Sequence, residues 1–290
     1  MVAIPTLGRR EIVAKTVLKL AGQDRLPDLL ILSVTSAVDA DPSLFENLTF
    51  PVQIVSGKKG ASAQRNRAMK ELGENDILVF LDDDFLMAAD YLERVEKIFE
   101  QNPDFAVVTG NLLADGIGCS GFDHKKGQRL LTTLDKGERW QNYTEVYSGY
   151  GCNMSIRLRF VLENGLWFEE ALPLYAWLED LDFSRLLSRF GKVIKADELI
   201  GVHLGTKTSR TPGMMLGYSQ IANPAFLARK GSMEAGRASR RIMLNVIANT
   251  VKSLNPEPWV DRRGRLKGNL LGLKDLMLGR SDPSRIFEIR

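Results

Sequence analysis

The 290 residues are 44% hydrophobic and 26% charged, the proportions of a globular protein long enough to bury a core without disulfides or structural zinc. These proportions exclude intrinsic disorder, collagen and coiled coil, and no apolar run of about 18 residues offers a membrane span. The net charge of +3 is unevenly spread: residues 1–200 carry 23 Lys/Arg against 30 Asp/Glu, and residues 201–290 carry 16 against 6.

In chain order, Val2–Ile4 reads as a short buried strand stopped by Pro5. Ile12–Leu20 follows with helical spacing, Ile12, Val13, Thr16, Val17 and Leu20 sharing a face. Leu29–Val34, Val52–Val55 and Ile77–Leu81 read as strands, with a helix over Ala61–Leu72 between the last two. A helix at Asp90–Gln101 and a strand at Phe105–Gly110 come next. Short apolar strands separated by helices predict a mostly parallel sheet covered on both faces. Such sheets bind ligands beyond the carboxyl ends of their strands.

Residues 112–145 lack regular pattern and read as a loop or covering flap. Beyond them lie a segment over Gly149–Arg157, a helix near Phe160–Asn164 and another over Glu179–Phe190. Val193–Ala196 and Ile200–Leu204 read as two strands. The rest is helical: Met214–Ala228, Arg237–Leu254 and a Leu-rich stretch from Leu266 to Leu278.

Four features carry chemistry. At the end of the Ile77–Leu81 strand stand Asp82, Asp83 and Asp84, three adjacent carboxylates that repel one another unless a divalent cation gathers them. The plainer reading makes them the acidic start of a helix. Gly57 to Arg67 combines glycines, lysines and a fresh helix N-terminus, which suits a pyrophosphate as well as it suits a tight turn with surface lysines. Glu179 and Asp180 open a helix between apolar neighbours, either as a general base near a bound cation or as first-turn acids. His203 stands alone between apolar residues, and only the company of these acids raises it above an ordinary core histidine. The stretch from Gly116 to Gly121 fits G-x-G-x-x-G but opens no helix, and no nucleophilic triad is spaced along the chain.

In order, these pieces resemble the family 2 glycosyltransferases of bacterial type, whose nucleotide-sugar-binding fold is called GT-A. The likeness runs through Ile4-Pro5-Thr6, Gly60-Ala61 to Arg65-Asn66-Arg67, Phe80–Asp84, Gly151–Arg157, Glu179–Phe183 and His203. It implies an α/β GT-A domain over residues 1–205 and a basic helical extension over 206–290. The resemblance also implies a metal-dependent, inverting transfer of sugar from a nucleoside-diphosphate donor to a carbohydrate or lipid-linked acceptor. It places Asp180 as general base with Glu179 beside it. Asp84, Asp82 and His203 become ligands of Mg²⁺ or Mn²⁺, and Pro5, Thr6, Arg65, Asp82, Asp83 and Asn153 line the donor site. One stretch departs from the family pattern: where an acid contacts the nucleobase, this chain has Ser33 to Val38, leaving hydroxyls or Asp39 to take that place.

The basic tail suggests an anionic partner. Arg237, Arg240 and Arg241 lead into an apolar helix, and Arg262, Arg263, Arg265 and Lys267 precede a second one. An anionic membrane surface over 237–278 is one reading; packing on the sheet, or on another copy, is the other. Nucleic acid fits less well, because the cations are not interleaved with aromatics. Two cysteines, Cys119 and Cys152, and a start without a basic or apolar leader pattern set the expectation at the cytoplasm, peripheral to the inner membrane. A sugar nucleotidyltransferase is the nearest rival, yet Leu7-Gly8-Arg9-Arg10 is a meagre version of its Gly-rich loop. A non-catalytic nucleotide-sugar binder is the third class, against which stand the acids at both 82–84 and 179–182.

Overall fold

The computed structural model describes residues 1–70, 72–73, 76–133 and 141–289. In chain order the elements are β1 (Val2–Pro5), α1 (Arg10–Leu20), β2 (Leu30–Val34), β3 (Val52–Ser56), α2 (Ala61–Met69), β4 (Ile77–Leu81) and β5 (Phe85–Met87). Then come α3 (Tyr91–Gln101), β6 (Phe105–Asp115), α4 (His124–Thr132), β7 (Tyr143–Glu145), β8 (Asn153–Arg157), α5 (Leu158–Glu163), α6 (Glu179–Leu187) and β9 (Lys192–His203). Three helices end the chain: α7 (Gly213–Lys230), α8 (Ala235–Lys252) and α9 (Arg262–Met277).

Among the described residues, the nine strands form one sheet in the order β3-β2-β1-β4-β8-β6-β9-β5, with β7 also on β9. The first four are parallel, as their alternation with helices predicts. β8 then enters antiparallel between β4 and β6, while β5 and β7 run antiparallel on the two halves of β9. Side chains alternate across this sheet with the period of two that strands impose. Val2, Ile4, Leu30, Leu32, Val79 and Leu81 face α1 and α3, whereas Ala3, Ile31, Leu78 and Phe80 face α2, α5 and α6.

Three segments differ from the sequence reading. Val193–Ala196 and Ile200–His203 belong to one strand, β9, because its pairing with β6 jumps from Gly110↔Ala196 to Asn111↔Ile200 and bulges out Asp197, Glu198 and Leu199 between them. Gly110 allows this, since a Cβ there would lie 2.4 Å from the Leu199 carbonyl oxygen. The irregular region 112–145 contains the end of β6, helix α4 and strand β7; its residues 134–140 lie outside the described residues. β5 is too short to show a period, and the sequence reading missed it.

The C-terminal helices pack closely. Gly217 of α7 and Gly268 of α9 bring the two backbones together, and a Cβ on Gly268 would lie 2.0 Å from the Met214 carbonyl oxygen. Buried amides seal the crossing: Asn249 of α8 donates to Gln220 and Asn269, and Asn269 donates to the Gly217 carbonyl at 2.7 Å. Gly268→Ala is therefore expected to cost about 1–3 kcal/mol by overpacking, read as a lowered midpoint in urea unfolding. An unchanged midpoint would show that the two helices separate freely.

Candidate active site

The turn after β4 carries Asp82, Asp83 and Asp84, and the Asp82 N–H donates to the Cys152 carbonyl at 3.1 Å. β5 then pairs with the end of β9, setting Phe85 opposite His203. This pairing brings a histidine from about 120 residues away onto the acidic turn. His203 Nε2 lies 3.4 Å from Asp84 Oδ1 and 3.8 Å from Asp82 Oδ2, and the three ligand atoms fall within 4.8 Å of one another. Two carboxylates and an imidazole are a donor set that a divalent cation can share.

Around this cluster a second layer fixes the imidazole. His203 Nδ1 is 2.9 Å from Asp115 Oδ1, and Asp115 in turn accepts from the Tyr150 hydroxyl at 3.1 Å and the Ile117 N–H at 3.0 Å. A carboxylate on Nδ1 leaves Nε2 free to face a cation, the usual support of a ligating histidine. Burial opposes charge on His203, yet Asp115 and Asp84 raise its pKa to about 10. Against the upward push of burial, His203 and the Thr206 N–H, 2.6 Å from Asp84 Oδ2, hold Asp84 well below the usual carboxylate range. The surrounding acids therefore favour positive charge on the imidazole.

Arg65, on α2, joins this cluster to the second pair of acids. Its guanidinium is 3% exposed and donates to Glu179, to Asp82 Oδ1 at 3.4 Å and to the Gly151 carbonyl at 3.0 Å. Phe80 and Phe168 lie 5.7 and 5.5 Å from its carbon, closing it from water. Burial disfavours the charge on Arg65, but Glu179, Asp82 and Asp180 raise its pKa above the ordinary value. Burial likewise lifts Glu179 to about 8 against the pull of Arg65. Asp180 takes N–H donors from Gly151 at 3.0 Å and from Leu181 at 2.8 Å, which aim its carboxylate. Gly151 thus touches both sides, its N–H on Asp180 and its carbonyl on Arg65.

The backbone entering α6 is strained. Leu174, Ala176 and Leu178 all have positive φ, at 56°, 51° and 80°, in a left-handed region that costs an L-residue roughly 1–2 kcal/mol each. Tyr175, between the first two, is half exposed at 50%. Strain of this kind collects where a site needs a particular geometry.

The remaining expected residues lie around the same ends of the strands. Asp83 turns away from its neighbours: it accepts from Thr6 Oγ1 at 2.8 Å and from Arg9 at 2.9 Å, and burial raises it to about 6. Thr6, just after Pro5, is fixed by that bond and by its carbonyl, which accepts from Gln64. Asn153 is wholly buried at the start of β8, its side-chain oxygen accepting from Thr109 at 2.7 Å. Asp39 folds back onto the ends of β1 and β2, accepting the N–H groups of Gly8, Thr35 and Ser36. Sequence reasoning missed Arg9, Asp115 and Tyr150. Arg9 sits in a segment read only for a Gly-rich loop, and Asp115 in one read as irregular.

Comparison with known proteins bears on the family and the fold. Residues 1–165 match the family described as Glycosyl transferase family 2. A glucosyl-dolichyl phosphate glucuronosyltransferase of Haloferax volcanii is 28% identical over 107 residues, 37% of this chain and 34% of that protein. The chain thus spans about a third of the length of that curated relative. A mannosyltransferase from Pyrobaculum calidifontis, solved with GDP-Man and Mn²⁺, superposes with a TM-score of 0.56 at 13% identity, covering 99% of this chain and 84% of that one. S. aureus TarS 1-349 superposes at 0.54 and 13% identity, covering 98% and 81%. At such identities these likenesses bear on the fold, which is the GT-A arrangement. With the family match over more than half its length, the chain belongs to glycosyl transferase family 2.

Proposed function

We propose that the protein is an inverting, metal-dependent glycosyltransferase that moves a sugar from a nucleoside-diphosphate donor to the hydroxyl of a carbohydrate or lipid-linked acceptor, in polysaccharide or glycolipid assembly. The observation that carries this reading is Arg65, which contacts Asp82 of one acidic set and Glu179 of the other, so that the two sets lie side by side. The structural neighbour solved with GDP-Man and Mn²⁺ supports a donor of the same chemical class.

A divalent cation held by Asp84, Asp82 and His203 would neutralise the charge that builds on the departing diphosphate. Asp115 holds the imidazole in the orientation that this requires. On the other side, Asp180 accepts the proton of the acceptor hydroxyl while that oxygen bonds to the anomeric carbon and the bond to the diphosphate breaks. A single displacement inverts the anomeric centre. Glu179 is tied to Arg65 and positions the start of α6 rather than serving as a free base. Thr6 and Asp39, at the ends of β1 and β2, border the donor side.

Asp180→Asn should lower kcat by about 10²–10⁴-fold while leaving metal-dependent nucleotide binding intact. Both are to be measured on one preparation, by product formation and by calorimetric titration of the nucleotide; loss of binding as well would make Asp180 structural. Asp84→Ala and His203→Ala should abolish the metal-dependent part of nucleotide binding, as a chelator should in the parent protein. Asp115→Asn is expected to weaken metal affinity by about 10–100-fold, because the ligating imidazole loses its orienting carboxylate. Unaltered affinity in that variant would exclude His203 as a ligand.

A further inference from the structure

Helix α8 is inside out. Its 18 residues span about 27 Å, yet the side chains it buries are Ala238 and Asn249. Asn249 points inward to Gln220 and Asn269, whereas Met243, Leu244, Ile247 and Val251 are exposed at 53, 49, 51 and 62%, and Leu254 just beyond at 85%. Those positions recur every three or four residues and lie along one face of the helix. Exposed apolar faces of this extent on a folded protein mark a docking surface.

Charge identifies the partner. No acid occurs between Ala235 and Lys252, and Arg240 is exposed one turn before Met243 and Leu244. The outward face of α9 repeats the theme, with Arg263, Lys267, Leu270, Lys274 and Met277 all exposed at helical spacing. A second copy docked through the same patch would set these cations against their own images, because an isologous interface repeats one surface. An anionic bilayer offers both an apolar layer and negative headgroups. Among the described residues no helix is long and apolar enough to cross a membrane, so the contact would lie in the interface plane.

We propose that α8, with the outward side of α9, docks the protein on an anionic lipid surface. The docking does not depend on what the cleft transfers, but its placement is informative. Beside that apolar face, Arg241 of α8 lies over Trp177, in the segment that leads into α6, at 5.8 Å, and Arg237 lies over Tyr147, between β7 and β8, at 4.1 Å. Trp177 precedes Glu179 and Asp180 by two and three residues. An acceptor carried by a lipid would therefore reach the acids of α6 from the bilayer side.

The test is co-sedimentation of the full chain with vesicles of phosphatidylcholine mixed with phosphatidylglycerol, and with vesicles of phosphatidylcholine alone. Binding is expected with the first and not the second, and should weaken as salt is raised. The combined Leu244→Gln, Ile247→Gln and Val251→Gln variant should bind the anionic vesicles about tenfold or more weakly. Arg240→Gln with Arg263→Gln should weaken binding too, and both variants should keep the parent's unfolding midpoint and metal-dependent nucleotide binding. Equal binding to neutral vesicles, no binding to either, or a dimer in sedimentation velocity that the triple variant dissolves would each overturn the proposal.

Discussion

The buried guanidinium of Arg65 joins the two acidic sets. Arg65 is pulled out of water between Phe80 and Phe168, and such burial is tolerated because two carboxylates and a carbonyl meet its two terminal nitrogens. Two of those partners are the very acids that separate parts of the chain contribute. Removing one side of a buried pair typically costs about 3–5 kcal/mol, since the charge left behind has no solvent to turn to. The same contact that stabilises the fold therefore fixes the span between the acidic turn after β4 and the start of α6. Gly151 completes the bridge, bonding Arg65 with its carbonyl and Asp180 with its N–H.

The sheet supplies the second constraint. A purely parallel sheet would leave the end of β4 open beside a strand of the same direction. Here β8 enters reversed, so that Cys152, just before it, and Asn153, its first residue, meet the end of β4 and the turn at Asp82. Reversal of β5 on β9 does the same for His203, whose position opposite Phe85 is a matter of register. A one-residue slip there would turn the imidazole to the other face of the sheet. Asp115 arrives by a third route, at the end of β6 and directly across from His203 in the β6–β9 ladder.

Much of this was legible in the sequence, and the parts that were not have physical reasons. The first four strands and the helices between them follow from apolar runs of the right length, and Ile77–Leu81 has the predicted bounds. The acids at 82, 84, 179 and 180 announced themselves by sitting at strand and helix ends. The antiparallel entries of β5, β7 and β8 had no local signal, because strand direction is decided by partners far along the chain. Asp115 was hidden inside a Gly-rich stretch that reads as loop, and its role depends wholly on the register of β6 against β9. The inversion of α8 was hidden differently: its apolar stripe was visible, but periodicity reports that a helix has two faces and not which one turns inward.

The strained entry to α6 shows what the C-terminal helices contribute to the cleft. Leu174, Ala176 and Leu178 hold left-handed backbone that isolated peptide would abandon, so other contacts must outweigh the cost. Leu172, Ala176, Leu178 and Leu181 pack with Leu227, Met233 and Ala238, all of the last three beyond residue 205. Asn223 of α7 donates to the Trp177 carbonyl at 2.8 Å, and Lys230 pairs with the buried Asp182 at 2.7 Å. These contacts converge on the one turn whose geometry aims Asp180. Helices that sequence reading sets apart as a basic extension thus clamp the turn that carries Glu179 and Asp180.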